Sequence, residues 1–254
     1  MNKAQNNQLV SILLNSESPK LLKFCYFMVL CFFIASCGES TKKQDPKTSD
    51  NTVTEEKTEN SNTSATKTIL FFGDSITAGY GLGSTDDAYP AVVQQKIDTL
   101  DLNYTVVNSG VSGETSAGGR SRIGWILNQD IDIFLLELGA NDGLRGVPLA
   151  ETRNNLQAII DAVKKKDPST KIILAGMELP PNMGQDYTSE FRNMYAELAE
   201  NNKLIFIPFI LKDVGGIAEL NQNDGIHPTI EGHKIIANTV WEYLKPLVKA
   251  SNIL

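Results

Sequence analysis

From Thr68 onward, short apolar runs alternate with longer amphipathic stretches. The apolar runs have the length of strands and are rich in β-branched and aromatic residues, which is typical of strands covered on both faces. They are Ile69–Phe72, Tyr104–Val107, Ile131–Leu138, Lys171–Ala175 and Lys203–Phe209. The pattern therefore predicts five β-strands.

The stretches that separate or follow these runs have helical spacing. In Leu149–Lys165, apolar residues recur from Leu156 at i, i+3, i+4 and i+7, which places them on one face of a helix. The same spacing predicts helices over Gln94–Leu102, Tyr187–Ala199 and Pro228–Val248. Strands that alternate with helices predict a five-stranded parallel sheet in a three-layer α/β/α sandwich. Ligands of such sheets bind beyond the carboxyl ends of the strands.

The N-terminal part of the chain has a different pattern. Phe24–Ala35 is free of charge and follows a segment with three lysines and one glutamate. This apolar run is shorter than the about 20 residues that span a membrane, but it has the length of a secretory h-region. It ends in Ile34-Ala35-Ser36-Cys37, which resembles the lipobox of bacterial lipoproteins. The resemblance implies a signal peptide over residues 1–36 and an acylated Cys37. A short anchor or a buried helix is the alternative.

Gly38–Lys67 is rich in Ser, Thr, Asn, Lys and Glu and has almost no large apolar residue. Such a segment cannot bury enough surface to offset its chain entropy, so we expect residues 37–67 to be a lipidated cysteine and a flexible linker. Residues 68–254 remain as one domain. We expect this domain to be exported and lipid-anchored to a bacterial cell-envelope membrane, facing the periplasm or the exterior.

Composition narrows the function. The net charge is −7, which argues against a nucleic-acid partner because phosphate neutralisation needs a clustered basic surface. The three cysteines are Cys25, Cys31 and Cys37, so the main body has neither a disulfide framework nor a thiolate metal site. Histidine chemistry has two candidates, His227 and His233.

Polar and glycine-rich segments follow the first three predicted strands. Ser75, in Gly73-Asp74-Ser75, stands where a helix begins. A serine there is either an N-cap or a nucleophile beside unpaired N–H groups that favour an anion. Gly113 and Asn141 follow the next two strands, where they are either turn and cap residues or donors of an oxyanion hole together with the Ser75 N–H.

The Asp224-Gly225-Ile226-His227 segment precedes the last predicted helix. Asp224 could orient the His227 ring and stabilise the imidazolium while the other ring nitrogen faces a nucleophile. His233 lies inside the helix without an acidic partner as well placed, so we interpret it as structural.

These segments occur in the order of the four blocks of the SGNH, or GDSL, hydrolases, and together they resemble that family. The blocks are Gly73-Asp74-Ser75, Gly113, Gly139-Ala140-Asn141-Asp142 and Asp224-Gly225-Ile226-His227. The wider text of residues 73–80, 137–146 and 179–184 resembles the branch with acyl-CoA thioesterase, lysophospholipase and arylesterase activities. The resemblance extends over essentially all of residues 68–254, and it favours Ser75 as the nucleophile.

The resemblance implies a flavodoxin-like sheet and a serine hydrolase mechanism. Ser75 would be the nucleophile, His227 the general base and acid, and Asp224 the orienting carboxylate. The Ser75 and Gly113 N–H groups and the Asn141 side chain would hold the oxyanion. An acyl-enzyme would form without a metal or organic cofactor. Asp74 and Asp142 would fix loops rather than react.

The expected substrates are acyl esters or thioesters, including lysophospholipids, and we expect a monomer. The nearest alternative is a carbohydrate O-acetylesterase, since related branches deacetylate sugars. The distant alternative is a non-catalytic solute-binding lipoprotein. Loops 143–148 and 180–187 are predicted to form the walls of the acyl site.

Overall fold

The computed structural model describes residues 66–250. The predicted signal peptide, Cys37 and residues 38–65 of the predicted linker lie outside this range. The first strand begins at Lys67, one residue before the predicted start of the domain. None of the helices within residues 66–250 is long and apolar enough to cross a membrane.

Five parallel strands form one sheet in the order β2-β1-β3-β4-β5. The strands are β1 (Lys67–Gly73), β2 (Tyr104–Gly110), β3 (Ile133–Glu137), β4 (Lys171–Ala175) and β5 (Ile205–Ile207). This order is the flavodoxin-like one, and the predicted fold class is confirmed. All five residues of β3 are buried, as its continuous apolar sequence predicts for a central strand.

Within residues 66–250, seven α-helices connect or follow the strands. They are α1 (Ser75–Ala78), α2 (Tyr89–Asp98), α3 (Ser116–Ile126), α4 (Ala140–Leu144), α5 (Leu149–Lys166), α6 (Gln185–Asn202) and α7 (Ile230–Ala250). Helix α2 packs against α7, whereas α5 packs against both α3 and α6. Since crossovers between parallel strands are right-handed, these two groups cover opposite faces of the sheet.

Several elements differ from the sequence prediction. Helix α2 covers Tyr89–Asp98 rather than the predicted Gln94–Leu102, and the short helix α4 is absent from the prediction. Helix α3 is absent from the prediction because it contains three glycines and few apolar residues. Its Gly119 faces Phe72, Leu138 and Ile159 so closely that a Cβ atom would collide with Leu138. Strand β5 is shorter than its apolar run and is followed by Pro208, which fits an edge strand because proline cannot donate to a ladder.

The order in which strands are added to the sheet reverses at β1. From β1 the chain goes to β2 on one side, and it then returns across β1 to β3 on the other side. The carboxyl ends of these three strands precede Ser75, Gly113 and Asn141 respectively. This switch point is where open α/β sheets bind their ligands, so the topology brings the three predicted residues to one edge.

Candidate active site

Ser75 stands at the first position of α1, directly after β1. Gly73 makes the tight connection possible, since a Cβ atom there would collide with the side chains of Thr77 and Glu137. The N-cap is Asp74, whose Oδ1 accepts the Ile76 N–H at 3.0 Å. Because Asp74 caps the helix, the Ser75 hydroxyl is not used for capping, and the capping interpretation of Ser75 is wrong.

His227 is held by a short loop before α7. An antiparallel bridge joins Asn221 to Pro228, and the Gln222 N–H donates to the His227 carbonyl at 2.7 Å. The Gln222 side-chain amide donates to the carbonyls of Tyr80 and Pro228 at 2.8 and 2.9 Å. The loop is therefore closed on itself and fastened to the segment that follows α1.

Ser75, His227 and Asp224 form a continuous chain of hydrogen bonds. His227 Nε2 lies 3.0 Å from Ser75 Oγ, and His227 Nδ1 lies 2.7 Å from Asp224 Oδ2. The Tyr80 ring packs on the imidazole with 4.6 Å between ring centroids. Ser75 and His227 are 152 positions apart in the sequence, whereas His227 and Asp224 are 3 positions apart, and the structure brings all three together. The arrangement allows His227 to accept the hydroxyl proton while Asp224 stabilises the imidazolium.

Local hydrogen bonds stabilise the negative charge of the Asp224 carboxylate. Its Oδ1 accepts the N–H groups of His227 at 3.0 Å and Ile226 at 2.9 Å, and Oδ2 faces the imidazole. Hydrogen bonds from the His227 backbone and ring, and then from the Ile226 backbone, lower the pKa of Asp224 to about 2. The carboxylate therefore remains ionised throughout the neutral range.

Two predicted oxyanion donors are backbone N–H groups with no acceptor in the described part of the protein. The Ser75 N–H belongs to the unpaired first turn of α1. The Gly113 N–H lies in the loop between β2 and α3, where a φ of +78° favours glycine. Both groups are at the carboxyl edge of the sheet.

The third predicted donor, Asn141, is already hydrogen-bonded. Its Nδ2 donates to Asp74 Oδ2 at 3.2 Å and to the Glu114 carbonyl at 3.1 Å. These two bonds hold the amide between the turn that carries Ser75 and the loop that carries Gly113. Donation to an oxyanion would have to share or replace one of them, since an amide nitrogen carries two hydrogens.

The loop that carries Gly113 is fastened by Arg122, which sequence reasoning missed. The Arg122 guanidinium binds both carboxylate oxygens of Glu114 and the carbonyl of Ser109, and it lies 3.9 Å above the Phe72 ring. A bidentate arginine–carboxylate pair fixes orientation as well as distance. The Glu114 carbonyl that binds Asn141 is therefore attached to the ends of β1 and β2. No sequence signal singles out Arg122, because its partners are brought together by the fold.

Three other residues have packing or loop-fixing contacts. Asp142 is buried and accepts hydrogen bonds from Ser116 and Thr152. His233 is also buried; its Nδ1 accepts the Tyr89 N–H at 3.2 Å, and burial lowers its pKa to about 4. Arg145 donates to the Gly113 carbonyl at 3.1 Å from the exposed side. None of these side chains is hydrogen-bonded to Ser75 or His227.

Residues 66–250 contain no group of three or more His, Cys, Asp or Glu side chains arranged to hold a metal ion. The chemistry of the described groups is that of a nucleophilic hydroxyl, a histidine base and N–H donors for a developing oxyanion. Comparison with known proteins identifies the family. The profile of the GDSL-like Lipase/Acylhydrolase family matches residues 71–235, a range that contains Ser75, Gly113, Asn141, Asp224 and His227. The chain belongs to this family.

Curated relatives of this GDSL-like hydrolase are esterases and thioesterases. Esterase TesA of Pseudomonas aeruginosa is 38% identical over 185 residues, which make up 72% of this chain and 90% of the relative. Thioesterase 1/protease 1/lysophospholipase L1 of Escherichia coli strain K12 is 35% identical over 185 residues, or 72% of this chain and 86% of the relative.

Solved structures of the family have the same fold. The crystal structure of TesA matches with a TM-score of 0.68 and 37% identity, covering 71% of this chain and 99% of the TesA chain. The psychrotrophic esterase EstA from Pseudoalteromonas sp., in a structure inhibited by monoethylphosphonate, matches with a TM-score of 0.67 and 30% identity. That match covers 72% of this chain and 99% of EstA.

Proposed function

We propose that this carboxylic ester hydrolase cleaves acyl esters and thioesters, including lysophospholipids, through an acyl-enzyme on Ser75. The observation that carries the proposal is the hydrogen-bonded chain from Ser75 through His227 to Asp224, beside two N–H groups without protein acceptors. We propose that it acts as a monomer.

The geometry supports a two-stage reaction. His227 Nε2 takes the proton of Ser75 Oγ as the oxygen attacks the acyl carbon, and the Ser75 and Gly113 N–H groups bind the oxyanion. The C–O or C–S bond then breaks, and His227 returns the proton to the leaving alcohol or thiol. In the second stage His227 activates water, which releases the acid and regenerates Ser75. Asp224 stabilises the imidazolium in both stages.

An apolar acyl group fits the surroundings of Ser75. The Tyr80 ring packs on His227, and Ile226 directly precedes His227 in the chain. Leu144 is the last residue of α4, the helix that carries Asn141. All three side chains are exposed. The loops predicted to form the walls are linked by Tyr187, whose hydroxyl lies 3.4 Å from the Gly143 carbonyl and 3.2 Å from the Val147 carbonyl. Burial of an acyl chain against such side chains is favourable by about 0.8 kcal/mol per CH₂ group.

The proposal is tested with Ser75→Ala. We expect the variant to lose roughly 10⁶-fold in kcat on p-nitrophenyl esters and on a thioester, by analogy with loss of the nucleophile in another serine hydrolase. Wild type should react covalently with a fluorophosphonate, whereas Ser75→Ala should not. Ser121→Ala is the matched control, because Ser121 is exposed and its hydroxyl bonds only to the Gly118 carbonyl. Equal rates for wild type and Ser75→Ala would refute the proposal.

A series of acyl chain lengths separates the proposal from a carbohydrate O-acetylesterase. Activity that extends to medium chains and lysophospholipids supports the proposal. Activity restricted to acetyl groups, with deacetylation of acetylated xylan, would favour the carbohydrate alternative.

We also propose that the protein is exported and anchored to a cell-envelope membrane through a lipid on Cys37. The support is in the sequence alone: an uncharged run of h-region length followed by Ala35-Ser36-Cys37. Labelled palmitate should be incorporated into the wild-type protein in a bacterial host and not into Cys37→Ser. Equal release of both proteins into the soluble fraction would contradict the anchor.

A further inference from the structure

A fully buried glutamate lies directly behind the nucleophile. Glu137 ends β3 and has no solvent exposure. Its Oε2 accepts the Thr77 hydroxyl at 2.7 Å and the Asp74 N–H at 3.2 Å. Its Oε1 is buried and has no hydrogen-bond partner among the described residues. A carboxylate left in this state would carry a large desolvation cost.

The neighbouring Asp74 links this glutamate to the reacting groups. Asp74 is also buried; its Oδ1 accepts the Ile76 N–H at the start of α1, and its Oδ2 accepts the Asn141 amide. A shift of Asp74 would therefore displace both the nucleophile turn and an oxyanion donor. The Asp74 N–H donates to Glu137 Oε2, so the two residues form a buried pair of carboxyl groups behind Ser75.

Titratable side chains from several elements surround this pair. The titratable side chains that act on one or both members are Tyr89 of α2, Tyr195 of α6 and His227 of the catalytic loop, with Asp142 of α4 beyond Tyr195 and His233 of α7 beyond Tyr89. Among the described residues, His227 acts on Asp74 through its charge, and Arg122 reaches the neighbouring Gly73 carbonyl at 3.5 Å while it pairs with Glu114. Burial lowers the pKa of His233 to about 4. Burial raises the pKa of Asp74 to about 6, and burial together with the Asp74 charge raises the pKa of Glu137 well above its usual range.

We propose that Glu137 is a positioning residue that keeps its proton during catalysis and thereby limits the pair behind Ser75 to one negative charge. This role rests on the proposed function. A proton on Glu137 removes the charge that burial and the unpaired Oε1 disfavour, while Oε2 still accepts the Thr77 hydroxyl and the Asp74 N–H. A second negative charge would act against the oxyanion that forms beside Asn141, since that amide is bonded to Asp74.

Glu137→Gln tests the role because a glutamine has the shape of a protonated glutamate and cannot ionise. At neutral pH we expect its kcat to stay within about threefold of wild type. As the pH rises through the raised pKa of Glu137, wild-type kcat should fall more than that of Glu137→Gln, with little change in KM. Glu137→Met, which removes the acceptor for Thr77 and Asp74, should lose about tenfold or more in kcat even at neutral pH. If Glu137→Met does not fold, the glutamine variant still decides.

Stability gives a readout that does not depend on turnover. A carboxyl whose folded pKa is raised contributes stability that is full below its unfolded pKa and is lost as the pH rises through the folded value. For Glu137 the loss begins above pH 4.5, so the urea midpoint of Glu137→Gln should gain on that of wild type as the pH rises. The control Glu197→Gln changes an exposed acid on α6 that pairs with Arg153, and it should show no such trend.

Infrared spectroscopy observes the proton itself. Wild-type protein should show the carbonyl band of a protonated carboxyl at neutral pH, and this band should be missing from Glu137→Gln. A pH-independent difference in stability together with no lost band would overturn the role of Glu137. Failure of Ser75 to react with a fluorophosphonate would instead remove the proposed function, so the two failures are distinguishable.

Discussion

Two aspartates lie beside the same serine–histidine pair in opposite environments. The Asp224 side chain is 41% exposed on a surface loop, whereas Asp74 is 1% exposed next to Ser75. The pKa of Asp224 falls to about 2, and the pKa of Asp74 rises to about 6. The residue type is the same, so the difference comes from the surroundings.

Hydrogen bonds dominate at Asp224 and burial dominates at Asp74. Asp224 accepts two backbone N–H groups and faces the imidazole without leaving water, so its ionised form is stabilised. Asp74 also accepts a backbone N–H and an amide, which favour its ionised form, but desolvation by burial outweighs them and raises its pKa. The exposed loop thus supplies a permanent charge, whereas the buried cluster supplies rigid positioning with a charge that depends on pH.

The strongest test of the exposed side is Asp224→Asn. The amide preserves shape but removes the charge and favours the wrong tautomer of His227, which in an unrelated serine protease costs about 10⁴-fold in kcat. We expect a loss of that order on p-nitrophenyl esters, with little change in thermal stability. Asp213→Asn is the control, since Asp213 is an exposed aspartate in a preceding turn. A loss below about tenfold would mean that the exposed carboxylate does not supply the proposed charge.

Asn141 connects the buried cluster to the proposed oxyanion site, because its amide donates to Asp74. Asn141→Ala should lower kcat by about 10²–10³-fold with a nearly constant KM if the amide donates to the oxyanion. The same change also deprives buried Asp74 of a hydrogen bond. Steady-state kinetics with Asn128→Ala, an exposed asparagine after α3, provides the comparison. An equal loss in binding and in kcat, with a lowered melting temperature, would assign Asn141 to loop structure alone.

The smallest expected effect concerns the attachment of the exposed loop. Gln222→Ala removes the bonds to the Tyr80 and Pro228 carbonyls, and neutral hydrogen bonds are each worth about 0.5–1.5 kcal/mol. We expect about threefold to tenfold lower kcat and a small decrease in melting temperature. Asn223→Ala, at an exposed position of the same loop, should be close to wild type. A larger loss of kcat in Gln222→Ala than in Asn141→Ala would mean that the exposed loop contributes more to turnover than the buried cluster does.

Much of the fold could be predicted from local pattern. The runs at Ile69–Phe72 and Lys171–Ala175 have the apolar, β-branched composition of buried strands, and both are strands in the structure. Helix α3 could not be found in this way because Gly119 is selected by contact with Leu138 and Phe72 rather than by helical propensity. The end of β5 likewise depends on its position at the edge of the sheet.

The sequence by itself determined the sheet-and-helix order, the segments after the strands, and the pairing of Asp224 with a histidine three residues on. Those features depend on short-range patterns of residues, which can be read directly from the sequence. Only the tertiary structure decided that Asp74 rather than Ser75 caps α1, that Asn141 is bonded before any substrate binds, and that Glu137 is buried beside Asp74. Burial and long-range hydrogen bonds set these properties, and they exist only once distant strand ends meet at one edge of the sheet.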